Sequence, residues 1–492
     1  MLCTRKLAVF LALCIAAGCG KSEPSVSTPA EEQAPAEPPV SLASAKDRDV
    51  IVVVVDGLRG DKLEATPYIG ELAGQGLNFQ NAASSSSHVM QSLSSFFTGR
   101  LPTRGGAIGV YEAEPQEEAA TIAQAFQDAG YYTGLLANHP AIQGFGYTKG
   151  FQEVQVAQQG QPLNDTALVK RATEFLEDAG TDRIFLYVHF AGVLTSKLVQ
   201  PDPAADPATA PFNVRDFGKD YKWTSEELKA SPRVAITRDA YAAAMNTSDA
   251  AVKALMDALK TSGRLEKSVV VLTSLHGFEL LEHAYLGTGW SLYEESVHVP
   301  LIVYAPGAVP AAMTRARVSL VDVMPSLLTL TGVKFDAAPL DGQILFQPDG
   351  DTFTYTASDR PRIAELVIPE RCIVRTVSNG EWKYVAASAW ADPVDRYTLA
   401  ESHRDTANAI AGGTKSAPSL WGAQAREEMV RIPGETLESA ATDASAKKKL
   451  LAALAEYQKQ CEQTGIPPRA PTVSAKAVDA EQIENLESLG YL

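Results

Sequence analysis

Apolar and polar positions fall into two textures along this chain. From residue 49 to about 335, unbroken apolar runs alternate with segments whose apolar residues recur every three or four positions. Asp49–Val55 is the clearest run: Val50 to Val55 are all β-branched, with no polar alternation. A half-exposed strand would alternate, so this run predicts a central parallel strand covered on both faces. It ends at Asp56-Gly57, at the carboxyl end of the strand, where open α/β sheets place their ligands. Runs of the same kind lie at Tyr132–Ala137, Ile184–Phe190, 269–273 and 300–304, and helical spacing marks Pro67–Gln75, 121–129, 166–179, 240–262 and 321–331. The alternation predicts an α/β fold, a mostly parallel central sheet with helices on both faces. The Pro/Asp/Ala-rich stretch 200–211 predicts a surface loop within one crossover.

After about residue 345 the texture changes. Short strands are expected at 352–357, 363–367, Cys372–Ser378 and 382–387, with an Asn379-Gly380 turn between the last two. That pattern predicts a small antiparallel sheet. An amphipathic helix at 443–460 and a closing helical turn at 481–492 complete the region. The organisation is therefore an α/β domain over 47–345 and a small C-terminal α+β subdomain over 346–492. Four short strands are marginal alone, so the second should pack across an edge of the first.

The first residues read as an address. Arg5 and Lys6 precede an apolar run, 7–17, that is too short to span a bilayer comfortably. A basic start, a short apolar stretch and small residues make a secretory signal over 1–18. Ile15-Ala16-Ala17-Gly18-Cys19 resembles a bacterial lipobox, which would leave Cys19 lipidated as the new N-terminus. Residues 19–46 are rich in Pro, Glu, Ala and Ser and read as a disordered tether, with the folded body starting near Asp47. These features imply a bacterial envelope lipoprotein, membrane-held through its lipid and facing the periplasm or the exterior.

Composition narrows the partners. The 43 Lys+Arg against 59 Asp+Glu give a net charge of −16, which argues against nucleic acid. The five cysteines show no paired zinc spacing. Cys3 and Cys14 leave with the signal and Cys19 takes the lipid, so Cys372 and Cys461 remain either as a disulfide or as two buried thiols.

Several short motifs follow one another in a fixed order. They are Val53-Val54-Val55-Asp56-Gly57-Leu58-Arg59-Gly60-Asp61, Thr66-Pro67-Tyr68-Ile69, Thr98-Gly99-Arg100-Leu101-Pro102, Ala129-Gly130-Tyr131-Tyr132-Thr133 and Leu186-Tyr187-Val188-His189-Phe190. Thr273-Ser274-Leu275-His276-Gly277, Ser291-Leu292-Tyr293-Glu294-Glu295, Val321-Asp322-Val323-Met324-Pro325-Ser326-Leu327-Leu328 and Leu486-Glu487-Ser488-Leu489-Gly490-Tyr491-Leu492 continue the series. Together they resemble the sulfatases of the alkaline-phosphatase-like superfamily. The resemblance implies cleavage of sulfate or phosphate esters by a nucleophile at the start of a helix, beside a metal held by carboxylates and His or Asn.

Residue by residue, that chemistry does not carry over. Anchored on Thr98-Gly99, the nucleophile position is Val89, with Met90 and Gln91 where Pro is usual and Ser92 kept. The family's Asp before His276 is Leu275, its second Asp after Asp56 is Gly57, and its loop His and basic residue fall near Leu194 and on Thr288. Of the metal ligands only Asp56 and His276 survive by position, too few for Ca²⁺, Mn²⁺ or Zn²⁺ unless Glu279, Glu282 or His283 is recruited. A shift of register would offer Ser86 or Ser87, next to His88, as a substitute nucleophile.

Structural roles are expected for the survivors. Asp56 should bond the N–H groups of the turn after its strand, His276 should be a satisfied core histidine, and His189 should donate to a backbone carbonyl. Ser84–Ser87 reads as a solvated loop or helix cap, Arg59 and Asp61 as an ion pair, and Asp322 as an N-cap. The function implied is a sulfatase-family envelope lipoprotein without hydrolysis and without a bound cofactor, acting by binding an anionic ligand or partner, an anionic glycan or an envelope protein. The alternative is an active sulfuric- or phosphoric-ester hydrolase with a rearranged divalent-cation site.

Overall fold

The computed structural model describes residues 40–105, 120–139, 142, 146–157, 164–214, 225–282, 286–289, 291–335, 339–349, 352–355, 362–368, 372–378, 382–389, 426–431 and 444–463. In chain order the strands are β1 Val40–Ala43, β2 Asp49–Val55, β3 Leu77–Ala83, β4 Tyr132–Ala137, β5 Glu153–Val156, β6 Ile184–Phe190 and β7 Ser268–Thr273. They continue as β8 Glu279–Leu280, β9 Leu286–Gly287, β10 Leu301–Tyr304, β11 Ala312–Ser319, β12 Phe346–Asp349, β13 Thr352–Tyr355, β14 Arg362–Ile368, β15 Cys372–Ser378, β16 Trp382–Ala389 and β17 Arg426–Arg431. The main helices are α1 Pro67–Gln75, α2 Val89–Thr98, α3 Ile122–Asp128, α4 Asp165–Asp178, α5 Arg233–Thr261, α6 Val323–Thr331 and α7 Ala444–Gln463.

The central sheet has eight strands in the order β11-β3-β10-β7-β2-β6-β4-β5. Every pairing is parallel except those of β10, which runs antiparallel to both β3 and β7. The chain leaves β7 and re-enters β10 at the same end of the sheet, so β10 must run back. All of Val50 to Val55 are fully buried, as the unbroken apolar run requires. Asp49 anchors the other end of β2, bonding Ile184 N–H at 2.9 Å and Arg264 at 2.9 Å. α2 lies wholly buried against β6, with Phe97 edge-on to Tyr187 at 5.0 Å between ring centroids.

Three sequence expectations are corrected here. Residues 19–46 are not all tether: Val40–Ala43 is a strand, paired antiparallel with β13, and Leu42 and Ala45 are buried. The strand at 352 does not join the C-terminal sheet; β13 sits between β1 and β12 in a separate three-stranded sheet. The long helix starts at Arg233, seven residues before the apolar spacing becomes regular. β3 and β11 lack the apolar runs that mark their neighbours, because Asn and Gln break the pattern of β3 and Thr and Arg that of β11.

The C-terminal sheet is antiparallel in the order β14-β15-β16-β17, with α7 packed on β15 and β16 through Val377, Ala446 and Leu450. It is joined to the central domain at several points. Glu365 of β14 bonds the backbone N–H and hydroxyl of Thr103 at 3.1 and 2.7 Å, and its own N–H reaches Ser85 O at 2.8 Å. Lys383, 1% exposed, reaches Glu294 at 2.8 Å and Leu292 O at 2.8 Å. The 200–211 stretch is a mostly exposed loop without helix or strand. Among the described residues no helix is long and apolar enough to cross a membrane.

Candidate functional site

The carboxyl ends of five strands converge on one buried polar cluster. β2 delivers Asp56, β3 leads into Ser84–His88 and the first turn of α2, β4 into His139, β6 carries His189, and β7 leads into His276. Asp56, Val89, His139, His189, Leu275 and His276 are each 0% exposed and His88 is 2% exposed, so the cluster has essentially no contact with solvent.

Asp56 is its electrostatic centre. Its Oδ1 lies 3.1 Å from His276 Nε2 and 3.5 Å from His189 Nε2. Burial alone would raise the carboxyl pKa, but the His276 charge and the N–H groups of His189 and His276 outweigh burial and hold it well below the usual carboxylate range. Burial likewise opposes charge on His276, yet the neighbouring Asp56 and the Gly277 carbonyl, which accepts from Nδ1 at 2.8 Å, raise its pKa. One carboxylate and one imidazolium therefore form a buried ion pair. His88 and His139 are both pushed down to about 3, by burial first and then by the neighbouring histidine charge, and stay neutral.

These contacts revise the expected roles. Asp56 faces two imidazoles, His276 at 3.1 Å and His189 at 3.5 Å. His189 faces Asp56 and, through Nδ1, the Tyr187 hydroxyl at 3.2 Å, rather than a backbone carbonyl. Ser84–Ser87 is not solvated: all four residues are 0% exposed. Ser84 Oγ bonds Ser92 Oγ at 2.7 Å and also the Leu275 carbonyl, Ser86 Oγ donates to Gln91 Oε1 at 3.0 Å, and Thr288 Oγ1 donates to the Ser87 carbonyl. The hydroxyls of Ser85 and Ser87 have no hydrogen-bond partner among the described residues. α2 is capped by His88, whose side chain makes no capping bond, so the serines do not act as its cap. Asp322 is the N-cap residue of α6, as expected, but its side chain does not bond that helix; it accepts from Ser319 N–H at 2.8 Å, as the third residue of the capping box of the preceding turn, and from Gln343 N–H at 2.7 Å. Arg59 pairs with Asp61 at 2.8 Å, as expected, and also with Glu282 at 2.7 Å.

Packing closes the space around the ion pair. Gly57 has φ +74°, and a Cβ there would lie 2.7 Å from Val193 Cγ1. Val193 thus fills the place a second carboxylate would need, and Leu194 and Leu275 are buried beside it at 4% and 0% exposure. Val89 is the first residue of α2, the position where the resemblance expects an attacking oxygen, and its side chain has no lone pair. Glu282 is engaged by Arg59, Glu279 accepts from Ser291 and Ser296, and His283 lies outside the described residues. The donor set therefore does not fit a calcium or manganese ion, which calls for about six or more oxygens. Among the described residues no group of three or more His, Cys, Asp or Glu is placed to hold a metal ion. Cys19 and the side chains of Cys372 and Cys461 also lie outside the described residues.

Two members of the cluster, His88 and His139, are not singled out as site residues by their sequence. Their one signal is position: His139 comes two residues after β4 and His88 five residues after β3, at the strand ends where sites form.

The profile of the family described as Sulfatase matches residues 48–333. Arylsulfatase K of Bos taurus is 30% identical over 173 residues, 34% of this chain and 31% of that protein, so the chain spans about a third of that relative's length. Arylsulfatase A of Homo sapiens is 24% identical over 348 residues, 61% of this chain and 67% of that protein. Phosphonate monoester hydrolase of Silicibacter pomeroyi shares the fold, with a TM-score of 0.60 at 16% identity over 88% of this chain and 98% of that one.

Proposed function

The chain belongs to the sulfatase family, and from that membership we propose that it is a non-hydrolytic member that works by binding, held at the bacterial cell envelope by a lipid on Cys19. One observation carries this reading. Val89 stands at the start of α2 with 0% exposure, where an ester hydrolase of this architecture needs an oxygen nucleophile. The remaining polar groups are consistent with it: Asp56 is ion-paired with His276 at 3.1 Å and stands 3.5 Å from His189. In this role the ion pair ties the ends of β2, β6 and β7 together and fixes the loops above them. The partner is an anionic ligand, a glycan or an envelope protein, in keeping with the export signal and the tether.

The hydroxyl of Ser87, buried beside His88 and without a partner among the described residues, favours a second reading, an ester hydrolase that attacks through Ser87 or its neighbour Ser86. A panel of nitrophenyl sulfate, phosphate and phosphonate esters, with Ca²⁺, Mn²⁺ or Zn²⁺ added, separates the two. The wild-type chain should give no turnover above background. Metal-dependent turnover that is lost in Asp56→Ala and in Ser87→Ala or Ser86→Ala would establish the hydrolase instead. Anchoring is tested separately: Cys19→Ala should abolish labelling by a fatty-acid probe and release the chain from the membrane fraction, and unchanged labelling would refute the lipid.

A further inference from the structure

α7 differs from the other surface helices in how its cations are placed. Lys447-Lys448-Lys449 is the only run of three basic residues in the sequence, on a chain whose net charge is −16. It falls in the first two turns of Ala444–Gln463, and no acidic residue occupies the first turn. That end of a helix carries the positive end of the backbone dipole, so cations there do nothing for the helix itself. Lys447 is half-buried, whereas Lys448 and Lys449 are exposed and have no hydrogen bond or ion pair among the described residues.

Elsewhere the fold pairs such groups on the helix that carries them. On α4, Lys170 and Arg171 both reach Glu174, at 3.5 and 2.7 Å, and on α5 Lys253 reaches Asp257 at 2.7 Å. Pairing of that kind needs a carboxylate three or four positions away. Around Lys448 and Lys449 those positions hold only Ser, Ala and Leu. The helix turns Ala446, Leu450 and Tyr457 inward and leaves Lys448, Leu451, Ala452, Ala455 and Lys459 exposed. Leu451 is 37% exposed, and Lys459 stands 3.8 Å from Glu456 with both side chains in solvent. Spacings of three, four, seven and eleven put the five exposed residues on one stripe. Three apolar residues thus lie between two cations set roughly 16 Å apart along the axis.

We propose that the outer face of α7 is a docking surface for a bilayer that exposes anionic phospholipid headgroups. Lys448, Lys449 and Lys459 meet the headgroup phosphates, while Leu451 and the two alanines press against the boundary beneath them, their apolar area extended by the lysine stems. Charge complementarity selects this occupant. A chain at −16 is repelled as a whole by an anionic surface, so a cationic face is the one that can approach. The apolar strip between the cations suits a bilayer boundary better than a soluble polyanion, which offers Leu451 nothing to bury against. The proposal goes beyond the binding reading above and does not depend on a lipid at Cys19.

Co-sedimentation of the full chain carrying Cys19→Ala, with vesicles of phosphatidylcholine alone or mixed with phosphatidylglycerol, tests this. Binding should rise with phosphatidylglycerol and fall at least about tenfold when Lys448→Gln and Lys449→Gln are added together, the loss expected for two lysines near an anionic surface. The two chains compared share every residue before α7, so the difference between them belongs to that helix. Both lysines are exposed and unpaired among the described residues, so the double variant should keep its fold. Equal binding by the parent and the double variant, or no preference for phosphatidylglycerol, would overturn the proposal. Binding to soluble heparin with none to vesicles would overturn it too, assigning the face to a polyanionic glycan. Neither result bears on ester turnover, whose appearance would remove the non-hydrolytic reading and leave the docking face as it is.

Discussion

At the end of β2 the carboxylate of Asp56 lies between His276 and His189 and no solvent reaches it, whereas at the end of β11 Arg317 and Arg362 border a cleft with Gln343 exposed at its mouth. Both places occupy the end of the sheet where α/β proteins put their chemistry. What separates them is how charge is matched. In the centre, Asp56 is ion-paired with His276, Val193, Leu194 and Leu275 are buried, and His189 Nε2 and the hydroxyls of Ser85 and Ser87 are buried without a hydrogen-bond partner among the described residues. At the edge, Asp322, Asp341 and the Nη1 of Arg362 are each held by the protein itself. A strand end is thus only an opportunity; what it can do depends on which polar groups the fold leaves there.

The contrast is broken most severely by removing the centre's carboxylate. Asp56→Ala leaves a buried imidazolium without its counter-ion and should cost about 3–5 kcal/mol of stability, read from urea unfolding. A loss below about 1 kcal/mol would mean that His276 is not charged in the fold.

Acidity probes the same centre. His88 and His139 are held neutral down to about 3 against an ordinary value of 6.5, so below pH 6.5 the unfolded chain takes up protons that the folded chain refuses. Their contribution is complete above 6.5 and should fall steadily as pH drops towards 3. His276 has the opposite sign. Its folded value is raised, so its contribution is complete below 6.5 and fades as pH rises through that folded value. Urea midpoints followed across pH should therefore fall on the acid side, and His139→Gln should flatten that limb. A midpoint that does not change between pH 3 and 6.5 would contradict the neutral histidines.

A milder change sharpens the comparison. Val89→Ser removes two methyl groups and buries a hydroxyl, at a cost of about 1–3 kcal/mol. It should not confer ester turnover, because Leu275 and Gly57 still supply no second carboxylate. Turnover by this single variant would show that the centre is closer to competence than its packing implies. The smallest effect belongs to the edge. Arg317→Gln removes a half-buried guanidinium whose Nε is buried, and should cost about 1 kcal/mol, the worth of one hydrogen bond. A large loss of stability would make Arg317 part of the framework instead.

Legibility from sequence followed the same division. The strands covered on both faces, β2, β6 and β7, announce themselves because full burial demands unbroken apolar residues. β1 and β11 do not. β1 has four residues and owes its existence to a partner more than three hundred positions away, and β11 alternates Arg and Thr with Ala and Val along the sheet edge. Within the site, Asp56 and His276 were readable because motif and strand end coincide. The burial of the serines at 84–87 is not legible in the sequence because it is decided elsewhere, by the carbonyl of Leu275 and by β14 crossing at Ser85. No property of a polar tract reveals that a distant strand will cover it.

The pairing of β1 with β13 also sets a schedule. Val40 meets Tyr355, so the first strand to leave the ribosome has no partner until 315 further residues have been made. At about 5–20 residues per second that wait is roughly 15–60 s. Throughout that interval the segment leading into β2 cannot close its sheet. All eight strands of the central sheet are made before β13, so the stretch just ahead of that sheet waits for its own partner while the larger sheet is already complete in sequence.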